Sequence, residues 1–101
     1  IDNFKSYNDS FGHSEGDKAL QLVARILNKA FRTEDTVSRT GGEEFAVILP
    51  ETDTGAAQTA CLRFMEDLRK ASGLNLERVI TISGGIANFP DDSEIPEDLY
   101  I

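Results

Sequence analysis

Residues Gly41-Gly42-Glu43-Glu44-Phe45 constrain this chain most, because two glycines and two carboxylates stand together between apolar, strand-like segments. Val37, Ser38 and Arg39 lead in and Phe45-Ala46-Val47-Ile48-Leu49 lead out. The glycines therefore predict a tight hairpin turn between strands over 36–40 and 45–49, closed off by Pro50. Two carboxylates on a rigid turn suit a divalent cation, since hard cations take oxygen ligands and a turn holds those ligands still. That chemistry is metal-assisted phosphoryl transfer. A hairpin with two solvated glutamates would satisfy the same five residues, so the choice depends on the rest of the chain.

Upstream, the first residues read as a strand end, a short helix over 4–10 and a turn at Gly12. Polar groups able to bind a nucleotide recur along this helix and the loop after it. With Ser14 as N-cap, Ala19, Leu20, Val23, Ile26, Leu27, Ala30 and Phe31 fall at three- and four-residue steps, which predicts one long amphipathic helix with its stripe on the sheet. A second amphipathic helix, capped near Asp53 or Thr54, carries Ala57, Ala60, Cys61, Phe64, Met65 and Leu68 on one face, and Gly73 is expected to break it. Residues 78–87 are β-branched enough for a further strand, with Gly84-Gly85 marking a bulge or a close backbone approach. Pro96, Glu97 and Asp98 read as the first turn of another helix. Helices alternating with a hairpin-centred sheet place the fold in the α/β or α+β class.

A chain of 101 residues is one domain, 1–101, with a single core. Ten basic against 18 acidic residues leave a formal charge of −8, so no basic stripe exists for nonspecific nucleic-acid binding. A bound nucleotide would need its metal. Cys61 is the single cysteine, which rules out an internal disulfide and fits a reducing compartment. The apolar runs are too short for a signal peptide or a membrane span, so no direct membrane contact is expected of this segment.

Ile1-Asp2-Asn3-Phe4-Lys5-Ser6-Tyr7-Asn8-Asp9-Ser10-Phe11-Gly12-His13-Ser14-Glu15-Gly16-Asp17 and, after a helix, Arg39 through Phe45 together resemble the GGDEF family of diguanylate cyclases. That signature reads Asp-Ile-Asp-x-Phe-Lys-x-x-Asn-Asp-x-x-Gly-His-x-x-Gly-Asp, then Arg-x-Gly-Gly-Asp/Glu-Glu-Phe. The resemblance implies a palm-like, ferredoxin-like βαββαβ core of the nucleotidyl cyclase type, incomplete here at both termini. The strand ending at Ile1 would be central, and the first aspartate of the motif, a metal ligand in the family, would precede it. Basic residues that contact phosphates in the family would lie beyond the other end.

By the same resemblance, two GTP molecules on facing subunits of a homodimer condense to cyclic di-GMP and two pyrophosphates, with magnesium or manganese. Glu43 binds the metal and helps deprotonate the attacking hydroxyl, Glu44 lies beside the site, and the Ile1 carbonyl helps hold the metal. Lys5 stabilises charge at the triphosphate. Asn8 and Asp17 read guanine, His13 contacts the nucleotide, and Gly41 and Gly42 let phosphate and ribose approach the backbone and permit positive φ. Asp2 matches a structural aspartate and Asn3 a variable position. Arg32 and Asp35, five residues before the Gly-Gly, match a product-binding inhibitory site, with Arg63 as its secondary arginine. GTP places the reaction in the cytoplasm, although a parent protein could be membrane-anchored. A receptor that binds cyclic di-GMP or GTP without turnover is the alternative from a different class.

Overall fold

In the computed structural model, residues 1–76 and 78–88 are described. The first helix, α1 (Phe4–Phe11), begins after Asn3, which sits in the left-handed region at φ 55° and ψ 32°. Asparagine is among the few non-glycine residues that adopt this conformation at low cost. Its carbonyl accepts the Tyr7 N–H at 3.0 Å. Gly12 ends the helix at φ 89°, a value suited to a residue without a β-carbon.

The Gly12 N–H donates to the Asn8 carbonyl at 2.7 Å, and the Gly12 carbonyl accepts from Gly16 N–H at 3.1 Å. One residue therefore closes α1 and opens α2 (His13–Ala30). This displaces the expected cap: Gly12, not Ser14, holds the N-cap position, and no side chain caps the helix.

The α2 helix packs against α3 (Thr54–Asn75). Ala19, Leu22, Val23 and Leu27 of α2 meet Phe64 and Leu68 of α3, with Tyr7 from α1 and Ile80 completing the core. Leu20 is only half-buried, and Leu22 takes the core position beside Val23. Asp53 caps α3, its Oδ1 accepting the Ala56 N–H at 2.7 Å. The helix continues through Gly73 rather than breaking there. A glycine inside a helix costs only about 1 kcal/mol, and the Leu76 N–H still closes the last turn on the Ser72 carbonyl.

Between the long helices, β1 (Thr36–Arg39) and β2 (Phe45–Ile48) form an antiparallel pair in the register Thr36↔Ile48 to Arg39↔Phe45. Each strand is one residue shorter than expected. The connection is the five-residue loop 40–44, one residue longer than the strands expected over 36–40 and 45–49 would leave. The Thr40 and Gly41 N–H groups both donate to the Glu44 carbonyl, at 2.9 and 3.4 Å. This longer loop reverses the chain without left-handed residues, and neither Gly41 nor Gly42 takes a positive φ.

Residues 78–88 form no strand. They pass beside Asp2, whose N–H donates to the Thr81 carbonyl at 2.9 Å, but the chain turns into α1 at Phe4 and supplies no ladder beyond that. Gly84 and Gly85 accordingly sit in irregular backbone, not in a bulged strand. The expected helix start at Pro96, Glu97 and Asp98 lies outside the described residues. The class is mixed α and β, as the pattern predicts. Among the described residues, no helix is long and apolar enough to cross a membrane.

Candidate active site

The corner at Gly12 faces two helical segments toward one another. Phe4 and Asn8 are one turn apart on α1, and His13, Asp17 and Leu20 follow at helical spacing along α2. All five line a cleft of about 280 Å³. Its other wall comes from the hairpin, through Arg39, Gly42 and Glu43. Phe4 and Leu20 supply apolar surface, while Asn8, His13, Asp17 and Glu43 supply donors and acceptors. The volume is near the lower end for small-molecule pockets, roughly 300–1,000 Å³, and suits a nucleobase better than a whole nucleotide.

Glu43 is held by its backbone. Its carbonyl accepts the Ile1 nitrogen at 3.1 Å, which ties the hairpin loop to the start of the chain. Arg39 straps the same loop from the other side, with Nε donating to the Gly41 carbonyl at 3.1 Å and Nη2 to the Gly42 carbonyl at 2.6 Å. This strap is the feature that motif spacing did not expose. Arginine at the end of a strand reads as a solvated charge, and only the loop path brings two carbonyls within reach of its planar fork.

The structure thus gathers Asn8, His13, Asp17, Gly42 and Glu43 around one cleft, with Ile1 bonded behind it. Three expected residues stand elsewhere. Lys5 is exposed on α1 and does not line the cleft. Glu44 turns its carboxylate toward Gly41, where a β-carbon would lie 3.1 Å from Oε2. Gly41 is accordingly packed under Glu44 rather than open to the cleft, whereas Gly42 has open space around it.

A second cleft of about 290 Å³ lies between the residues that follow α2 and the start of α3, and Arg32, Asp35 and Arg63 all line it. Arg32 and Asp35 form a forked pair, Nη2 to Oδ1 at 2.9 Å and Nε to Oδ2 at 3.3 Å, and the Arg32 backbone N–H adds a bond to Oδ2 at 2.7 Å. Nη2 also donates to the Pro50 carbonyl and the Thr52 hydroxyl. The Asp35 side chain is almost wholly covered while that of Arg32 is half exposed. Hydrogen bonds from Arg32 hold the Asp35 carboxyl below the ordinary aspartate range, and the same pairing raises the guanidinium.

The family model described as diguanylate cyclase, GGDEF domain, matches residues 1–101. The chain belongs to the GGDEF diguanylate cyclase family. It is similar to the probable diguanylate cyclase DgcT of Escherichia coli K12, 36% identical over 99% of this chain and 23% of that protein. It spans about a quarter of the length of the curated relatives it matches.

Among solved structures it is similar to the active GGEEF domain of a diguanylate cyclase from Vibrio cholerae, with a TM-score of 0.74 at 26% identity, over 99% of this chain and 69% of that one. It is also similar to the GGDEF domain of DgcB from Caulobacter crescentus in complex with c-di-GMP, with a TM-score of 0.67 at 31% identity, over 69% of this chain and 41% of that one. The nucleotidyl cyclase-like fold of these GGDEF domains is the fold of this chain.

Among the described residues no three His, Cys, Asp or Glu side chains gather as a metal cage. Glu43 lines the cleft, and the Ile1 nitrogen donates to its backbone carbonyl. Magnesium is commonly held by one or two carboxylates together with waters and substrate phosphates. Glu43 on the cleft wall is a donor of that kind.

Proposed function

We propose that the protein is a diguanylate cyclase, condensing two GTP to cyclic di-GMP and two pyrophosphates as a cytoplasmic homodimer in which each subunit presents one GTP. The observation that carries this reading is the convergence of Asn8, His13 and Asp17 with Gly42 and Glu43 on one cleft. The Asp17 carboxylate accepts from the N1–H and 2-amino edge of guanine, and the Asn8 amide complements its ring acceptors. An adenine edge would leave both groups unpaired. His13 adds a polar contact at the mouth of the corner.

Glu43 and the Ile1 carbonyl would hold magnesium or manganese, which when bound neutralises phosphate charge and aligns the attacking hydroxyl. The Glu43 carboxylate takes the proton of the 3′-hydroxyl as it attacks the α-phosphorus of the facing GTP. Arg39 keeps the loop carbonyls turned toward its guanidinium, so that the backbone at Gly42 stays clear for ribose and phosphate. Lys5, on the exposed side of α1, and Glu44, beside Gly41, are assigned supporting roles on the family resemblance. Feedback would act at the second cleft, where Arg32, Asp35 and Arg63 meet guanine or phosphate groups of the product.

Incubation of the complete protein with GTP and magnesium, followed by product analysis, tests this. Cyclic di-GMP is expected, and its loss in Glu43→Gln ties it to the cleft. The second reading, a silent receptor, draws on the second cleft together with the cyclic di-GMP complex of the Caulobacter relative. Binding of cyclic di-GMP without turnover, at protein concentrations where dimers form, would establish the receptor instead.

A further inference from the structure

Gly16 lies on the first turns of α2 and is buried. A β-carbon built on it would overlap the Asn8 amide oxygen outright and come 2.8 Å from Cγ. The same oxygen is buried and has no hydrogen-bond partner among the described residues. Asn8 and Gly16 are tied through the corner by two successive backbone bonds, Gly12 N–H to the Asn8 carbonyl and Gly16 N–H to the Gly12 carbonyl. Their separation is therefore set by main chain, and the Asn8 amide is the softest atom group in the contact.

We propose that Gly16 is a specificity-determining positioning residue, a bare backbone floor that lets the Asn8 amide lie flat over α2 and present itself to the guanine edge. This rests on the guanine reading above. The floor is glycine because any larger residue occupies the space of the amide oxygen. A methyl at position 16 swings the amide about its side-chain torsions and leaves the helix corner in place. With its oxygen packed against Gly16 and closed off from solvent, the amide is left to offer its Nδ2 group to the ring acceptors of guanine.

The test uses the complete protein and equilibrium binding of GTP, inosine triphosphate, which lacks the 2-amino group, and ATP, each with magnesium. Unsubstituted protein is expected to prefer GTP over both analogues; equal binding of all three would remove the guanine reading and this inference with it. Given that preference, Gly16→Ala is expected to weaken GTP about ten- to a hundredfold, to weaken inosine triphosphate alongside it because both carry the ring acceptors, and to narrow the preference over ATP. Asn8→Ala should do the same, and Gly16→Ala added to Asn8→Ala should change nothing further, because the amide it displaces is gone. A Gly16→Ala protein that keeps its full GTP affinity and preference over ATP, or effects that simply add in the pair, would overturn the assignment. If Gly16→Ala alone does not fold, recovery of folding by Asn8→Ala supports the collision, and failure to recover overturns it.

Discussion

Arg39 grips Gly42: Nη2 of the guanidinium donates to the Gly42 carbonyl at 2.6 Å, and Nε reaches the adjacent Gly41 carbonyl at 3.1 Å. Two glycines in sequence give a loop with large backbone freedom to lose, so a planar fork on neighbouring carbonyls is an effective way to order it. Glu43, next in the chain, inherits that order.

Arg39→Lys keeps the charge and removes the fork. GTP turnover per unit KM is expected to fall about tenfold or more, with a thermal midpoint close to that of the parent because the strap is exposed. Steady-state kinetics beside thermal denaturation checks both, and unchanged turnover would remove the strap from the mechanism.

Glu43→Gln tests the cleft carboxylate at nearly constant volume. It is expected to abolish cyclic di-GMP formation while GTP still binds, since Asn8 and Asp17 on the facing wall are untouched. Product analysis and nucleotide binding on the same preparation separate the two effects. Substantial residual turnover would exclude Glu43 as the group that handles the hydroxyl proton.

The helices and the hairpin were legible because their signals are local. The apolar steps of α2 and α3, the Asp53 cap and the glycine pair between strand-like runs all lie within a few residues of what they specify. The first-cleft residues were legible through motif spacing, as Asn8, His13 and Asp17 are joined by one corner. What escaped the sequence depends on distant partners or on single dihedrals. Gly12 could replace Ser14 as the cap because its own φ of 89° lets α2 start with a single residue between it and α1. Residues 78–88 look like a strand, yet a strand is a property of a pair, and beside Asp2 they find one backbone bond. Lys5 matches its motif position but its helix face turns it outward. Arg39 and Gly16 acquire roles only through atoms that fold onto them.

Arg32→Ala should separate regulation from catalysis. The guanidinium serves Asp35, the Pro50 carbonyl and Thr52 at the second cleft, and none of these lines the first. Inhibition of GTP turnover by added cyclic di-GMP is expected to weaken about tenfold or more, with initial rates retained. Titration of turnover with product checks it; an unshifted inhibition curve would take Arg32 out of the feedback site.

Ser72 ties the segment after α3 to the core. Its fully buried Oγ accepts the Ile80 N–H at 3.0 Å and donates to the Arg69 carbonyl at 3.0 Å. Ser72→Ala leaves a buried amide of Ile80 without a partner, and folding stability is expected to drop by about 1–3 kcal/mol. Urea denaturation measures this directly. A loss below about 0.5 kcal/mol would mean that water replaces the hydroxyl.

Asp2 closes the chain on itself across 79 and 81 residues, accepting from the Thr81 hydroxyl at Oδ2 (2.8 Å) and the Ser83 hydroxyl at Oδ1 (2.6 Å). Both bonds favour the charged carboxylate, so Ser83 and then Thr81 hold its pKa below the ordinary aspartate value of about 3.9. The folded state binds this proton less readily than the unfolded chain. The stabilisation is therefore present above about pH 4 and is lost as pH falls through the lower folded-state value. Asp35 and Glu66, depressed by their arginine partners, titrate in the same direction and supply a common background. Asp2→Asn removes one carboxylate from that set. Denaturation free energies measured from pH 7 down to about pH 2 should fall less steeply below pH 4 in the variant than in the parent. Parallel curves would mean that the two hydroxyls do not hold the Asp2 proton off in solution, and that the contact between the N-terminal residues and 81–83 rests on the Asp2 N–H bond to Thr81 alone.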